Sequence, residues 1–114
     1  MKDMMVVIKT RPGAGSRVEG GLRLSAAMLG MDHMPVLVFL DEGVECLRPG
    51  AFDDARLWDY LKATADLAGV YVLSESLEER GLGTGDLDPR LDATPVDLGR
   101  LAEMVAESDV TLAF

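Results

Sequence analysis

A single cysteine and a single histidine stand in this chain of 114 residues. Sulfur or nucleophilic chemistry therefore has one thiol to use, and imidazole chemistry one ring. Cys46 sits in the stretch GVECLRPG, just past an apolar run that reads as a strand. In parallel sheets, chemistry gathers beyond the carboxyl ends of strands. A thiol works there as its thiolate, and Arg48, two residues on, favours that form while Glu45 opposes it. Val44 and Leu47 read as the inward residues of the turn, which leaves Cys46 partly exposed. Against a reactive role stands the general habit of free cysteines, which are among the most buried residue types; an inert, buried thiol is the favoured reading. His33 precedes the second strand, at the amino end of the sheet, with no second His or Cys near it in sequence. A surface histidine is the better reading, and no metal site is expected.

Two further groups of polar residues are candidates for binding. Gly13-Ala14-Gly15 lies between a strand and a helix, where a nucleotide-binding loop would lie. Its third glycine should fall at Val18, and no Gly-Lys-Ser/Thr follows, so neither phosphate-loop pattern is complete. Arg11, the Ser16 hydroxyl and Arg17 remain able to hold a small anion at the helix start, set against a plain connecting loop. The second group is the polar tip Ser74, Ser76 and Arg80, which follows the apolar run Val70–Leu73. The acidic pairs Asp41/Glu42, Asp53/Asp54 and Glu78/Glu79 are adjacent in sequence and point apart, which makes them poor acid–base dyads. No Ser-His-Asp or Cys-His arrangement is present, and no cofactor is expected.

The composition narrows the classes. Net charge is −9, which argues against phosphate-backbone binding and against anionic membrane surfaces. No apolar run approaches the roughly 20 residues of a membrane span, and the apolar part of the N-terminus is too short for a signal peptide. One cysteine makes no internal disulfide, so a reducing cytoplasm is the expected location. With 48% hydrophobic and only 5% aromatic residues, the core must be largely aliphatic.

These residues need positioning elements, and the apolar pattern supplies them. Met4–Lys9, Pro35–Leu40 and Val70–Leu73 are runs too continuous to face water on one side and read as buried parallel strands. Thr94–Val96 reads as a brief fourth strand and Val110–Phe114 as a fifth. The first helix begins at Ser16 as a cap, with Glu19 completing a capping box. Its stripe is Val18, Leu22, Ala26 and Leu29, with Gly20 and Gly21 letting it approach the sheet. A short helical turn is expected over Val44–Leu47. A second helix starts at Asp53 and Asp54, with Leu57, Tyr60, Leu61 and Ala68 inward and Thr64 bonded back to its own backbone. Ser74 reads as the cap of a third, one-turn helix stopped by Gly81. Residues 81–94 read as a surface excursion with a turn near Leu87–Leu91. Asp97 caps the last helix, whose stripe is Leu98, Leu101, Ala102 and Val105. Strands alternating with helices imply one domain over residues 1–114, with a parallel sheet covered on both faces.

Two stretches, PVLVFLDEGVECL (Pro35–Leu47) and GVYVLSESLEERGL (Gly69–Leu82), resemble the DsrE/DsrF-like proteins, the family that includes the Dsr and Tus sulfur-relay subunits. The resemblance covers nearly the whole chain. It implies a three-layer α/β/α domain with a mostly parallel five-stranded sheet. It also implies assembly into homo-oligomers, trimers or hexamers, or into hetero-oligomers with other DsrE-like subunits. Sulfur-carrying members take sulfane sulfur as a persulfide on one cysteine, eight residues before the glycine of the Arg-Gly pair. Here that glycine is Gly81 and the matching position is Leu73. Neighbouring Ser74 and Ser76 are no substitutes, because a hydroxyl cannot hold a persulfide. The chain thus resembles the DsrF/TusC type, in which that cysteine is lacking. The leading expectation is a non-catalytic subunit that assembles or docks a partner. The alternatives are a sulfurtransferase whose acceptor has moved to Cys46, and a small-anion module built on the Arg11–Arg17 loop.

Overall fold

The computed structural model describes residues 4–13 and 17–114. The three apolar runs form the centre of the sheet: β1 (Met4–Ile8), β2 (Val36–Phe39) and β3 (Val70–Leu73). β4 (Thr94–Val96) and β5 (Val110–Ala113) flank them, and the order is β4-β3-β2-β1-β5. Every pairing is parallel. Because side chains alternate along a strand, the register Val7↔Val38↔Tyr71 sorts the core into two clusters. Val6, Ile8, Leu37, Phe39, Val70 and Val72 face one way. Met5, Val7, Val38, Leu73 and Val96 face the other.

The first face lies under α1 (Val18–Gly30) and α2 (Ala55–Leu67), together with the 3-10 helix Asp41–Leu47. The expected close approach of α1 is present: a Cβ on Gly21 would run into Ile8 Cδ1. Thr64 donates its hydroxyl to the Tyr60 carbonyl at 2.9 Å, as expected. Ser16, expected to cap α1, lies outside the described residues. Arg17 stands at the N-cap and makes no side-chain cap bond. Asp54 caps α2 by accepting from Arg56 N.

The excursion after Gly81 is anchored more firmly than a surface loop. Its 3-10 turns are Thr84–Asp86 and Pro89–Leu91, and Leu87 and Leu91 are buried in the first cluster. Asp88 is buried too. It accepts from Arg90 through Nε and Nη2 at 3.0 and 2.7 Å, and that guanidinium lies 4.5 Å from the centroid of Trp58. The bond to Arg90 holds the Asp88 carboxyl below the usual carboxylate range.

The second face is covered by α4 (Leu98–Glu107). Asp97 caps it, accepting from Arg100 N at 2.7 Å. Its expected stripe is only partly inward. Leu101 and Met104 pack on the sheet, whereas Leu98 and Val105 are 60% and 44% exposed. Glu75 accepts from Leu98 N at 3.0 Å and, with Asp97, ties down the start of the helix. From that seat positions 101 and 104 meet the strands and the Leu98/Val105 flank turns toward solvent. The three layers are therefore unequal, two helices against one. No described helix is long and apolar enough to cross a membrane.

Candidate functional site

The carboxyl ends of the strands bring together the loops that carry most of the candidate residues. β2 ends against a turn that depends on Gly43. A Cβ there would lie 2.6 Å from the Ile8 carbonyl carbon, so only glycine lets the 3-10 helix Asp41–Leu47 rest on the end of β1. Asp41 opens that helix with φ of 50°, and its N–H donates to Ser76 Oγ at 2.9 Å. Ser76 is buried, and its hydroxyl pins the end of β2 to α3 (Ser74–Glu79). That is a structural use of a residue expected as a ligand contact.

The same turn decides the fate of Cys46. In a 3-10 helix residues three apart eclipse one another, so Cys46 falls beneath Gly43, on the side pressed against β1. Its thiol is 1% exposed and donates to the Thr10 carbonyl at 3.8 Å. The buried thiol favoured from the sequence is what the fold holds, and the partial exposure read from taking Val44 and Leu47 as the only inward residues is overturned, since all three are buried. Burial, followed by the nearby Glu45 charge, pushes the thiol pKa up to about 12. Arg48, expected to favour the thiolate, is instead paired with Glu45 at 3.2 Å. At neutral pH this group is a buried, protonated thiol, the opposite of what sulfur acceptance needs.

Leu73 ends β3. It is 8% exposed and packs with Met5, Val7, Val38, Val96, Leu101 and Met104 beneath α4. It also takes the N-cap position of α3, where Ser74 was expected, so Ser74 becomes the first helical residue. Arg80, at the far end of α3, has a partly covered side chain 4.0 Å from Glu79.

The Arg11–Arg17 anion site divides differently from expectation. Arg11 Nε donates to Glu42 at 3.1 Å on the surface, Arg17 is exposed at the start of α1, and Ser16 is outside the described residues. What Arg11 does share is a shallow cleft of about 420 Å³ with Pro12, Glu45, Arg48, Pro49 and Ala51. Both of its arginines are held by carboxylates, so the cleft is close to neutral. Arg48 was missed as a wall of this cleft, and Glu75 was missed as the clamp on α4. Both are placed by contacts between distant segments, which local spacing does not reveal. His33 is exposed at the amino end of β2, and no described set of three or more His, Cys, Asp or Glu side chains converges to hold a metal ion.

The profile of the DsrE/DsrF-like family matches residues 2–114. Among solved structures the chain is similar to the YchN protein of E. coli, with a TM-score of 0.79 and 20% identity, each chain covered in full. It is also similar to MTH1491 of Methanobacterium thermoautotrophicum, a protein of unknown function, with a TM-score of 0.71 and 16% identity, again over the whole of both chains. No curated protein sequence matches the chain.

Proposed function

The chain belongs to the DsrE/DsrF-like family, and from that premise we propose that it is a subunit of intracellular sulfur transfer that carries no sulfur itself and acts by assembling with, or docking, a partner that does. One observation carries this reading. At the position where the family's sulfur-accepting cysteine belongs stands Leu73, packed into the core beneath α4. An aliphatic side chain there can neither form nor pass on a persulfide. The buried, protonated Cys46 supports the same reading, because a displaced acceptor would need an exposed thiolate. The subunit's contribution is then its surface and its shape.

Intact-mass spectrometry of the folded protein after incubation with inorganic polysulfide, beside Cys46→Ser, tests the proposal. The expected result is no mass gain in either protein. A gain of whole sulfur atoms in the wild type, lost in Cys46→Ser, overturns it and makes Cys46 the acceptor.

A further inference from the structure

Seven methionines stand in the chain, and the fold uses them in two ways. Met5 and Met104 fill the core, at 0% and 6% exposure. Met28, Met31 and Met34 recur every third residue through MLGMDHM, where α1 ends and the chain turns toward β2. A methionine stripe at that spacing ordinarily marks the buried face of a helix. Here only Met28 packs against the core. Met31 is 70% exposed and Met34 48%, and His33 between them is exposed as well. Burial therefore does not explain why two thioethers and the chain's one imidazole stand together in water. Backbone bonds hold all four residues on one short turn. Met31 is the C-cap of α1, and its N–H donates to the Met28 carbonyl at 3.0 Å. Asp32 takes left-handed backbone, with φ of 61°, and reverses the chain. The His33 N–H then returns to the same Met28 carbonyl at 2.8 Å. Met28 and Met31, three apart across the helix end, share a face, and Met31 and Met34 flank the reversal. Methionine side chains are unbranched, with three rotatable bonds, so their sulfurs can close on an ion above a turn whose backbone is fixed.

We propose that Met31, His33 and Met34, with Met28 at their inner edge, form a binding site for a soft monovalent cation, Cu(I) or its congener Ag(I). The donor types select the ion. Thioether sulfur is a soft ligand that suits Cu(I), imidazole nitrogen also suits copper, and the hard cations Mg2+ and Ca2+ want oxygen. The lack of a second His or Cys near His33 argues against a zinc site and leaves Cu(I) untouched, because the partners here are thioethers. Each donor gives a lone pair; no covalent bond breaks and no oxidation state changes. The donors are neutral, so the bound ion keeps its positive charge. Asp32 within the turn and the net charge of −9 favour that charge. The turn lies at the amino end of the sheet, whereas Cys46 lies beyond the carboxyl ends and is 1% exposed. The site therefore stands apart from the sulfur-transfer reading and does not depend on it.

Titration of the full chain with silver nitrate in chloride-free buffer, followed by NMR of methyl-labelled methionine, tests the site. The Met31 and Met34 methyl resonances are expected to shift and to saturate at an equimolar amount of Ag(I), while those of Met5 and Met104 stay in place. The Met31→Leu/Met34→Leu protein keeps the bulk of both side chains and loses their sulfur. Both positions are exposed, so its far-UV circular dichroism is expected to match the wild type, and its equimolar uptake of Ag(I), read by metal analysis after desalting, is expected to be lost. Cys46→Ser is expected to keep that uptake, and His33→Ala to need more Ag(I) for saturation. Anaerobic Cu(I) is expected to move the same methyls as Ag(I), and Zn2+ to leave them unmoved. Unmoved Met31 and Met34 methyls at a several-fold excess of Ag(I) would overturn the proposal. So would uptake that survives in the double leucine variant, uptake lost in Cys46→Ser, or a Zn2+ response equal to that of Ag(I).

Discussion

The two faces of the sheet each hide one position where sulfur chemistry was conceivable, and they hide it by different means. Cys46 belongs to the cluster on the thick face, within the 3-10 helix 41–47 that rests on the end of β1. Leu73 lies under the thin face, where α4 alone covers it and leaves Leu98 and Val105 outside. The thick face closes by backbone fit, with glycines at the points of contact. The thin face closes by one helix clamped at its start by Glu75 and Asp97. A face built the first way is sealed against ligands and reagents. A face built the second way has surface left over for another molecule.

The sharpest way to break this contrast is at the backbone fit. Gly43→Ala pushes a methyl group into the Ile8 carbonyl, where nothing flexible can yield. It is expected to cost about 3 kcal/mol, read as a lower urea midpoint at constant m-value. The same change made on the two faces then grades them. Leu22→Ala, in the fully enclosed layer, is expected to cost about 3 kcal/mol, and Leu101→Ala, beneath α4, about 2 kcal/mol. Leu98→Ala, on the open flank, is expected to cost less than about 0.5 kcal/mol. Equal losses for Leu22 and Leu101 would erase the contrast between the faces.

A separate effect, confined to alkaline solution, comes from pH. The Cys46 thiol rises from the ordinary value of 9.0 to about 12 in the fold, so the folded state holds its proton more tightly than the unfolded chain. That contribution is complete below pH 9 and is lost as pH climbs toward 12. Stability should therefore fall by up to about 1.4 kcal/mol per pH unit above pH 9, and the Cys46→Ala variant should lose that part of the slope. Equal alkaline slopes in the two proteins would place the thiol in water. The smallest effect is expected at the Arg11/Arg48 cleft. Phosphate is expected to leave the thermal midpoint unchanged, because both guanidinium groups already hold carboxylates. A concentration-dependent rise would reopen the anion reading.

Much of this architecture was legible because it depends on local pattern. Continuous apolar runs named the three central strands, and the Asp54 and Asp97 caps and the glycine stops placed helix ends to within a residue or two. Gly21 was readable as a contact glycine for the same reason, since a glycine inside an amphipathic helix needs a packing cause. What stayed hidden depends on contacts between distant segments. The burial of Cys46 was favoured from the habit of free cysteines, but its cause, a 3-10 turn lying on Ile8 thirty-odd residues earlier in the chain, was not. The rotation of α4 follows from Glu75, on a different helix. Ser76 read as a ligand contact because its neighbours are polar, yet its hydroxyl serves the backbone of Asp41.

The most direct test of the central claim, that this chain offers no thiol for sulfur to land on, is the alkylation rate of Cys46 in the folded protein against the same protein in denaturant. A sealed thiol predicts rapid labelling when unfolded and protection under native conditions, with the native rate tracking global unfolding. Labelling of the folded protein at the rate of a free thiol would contradict it and return Cys46 to the position of sulfur acceptor.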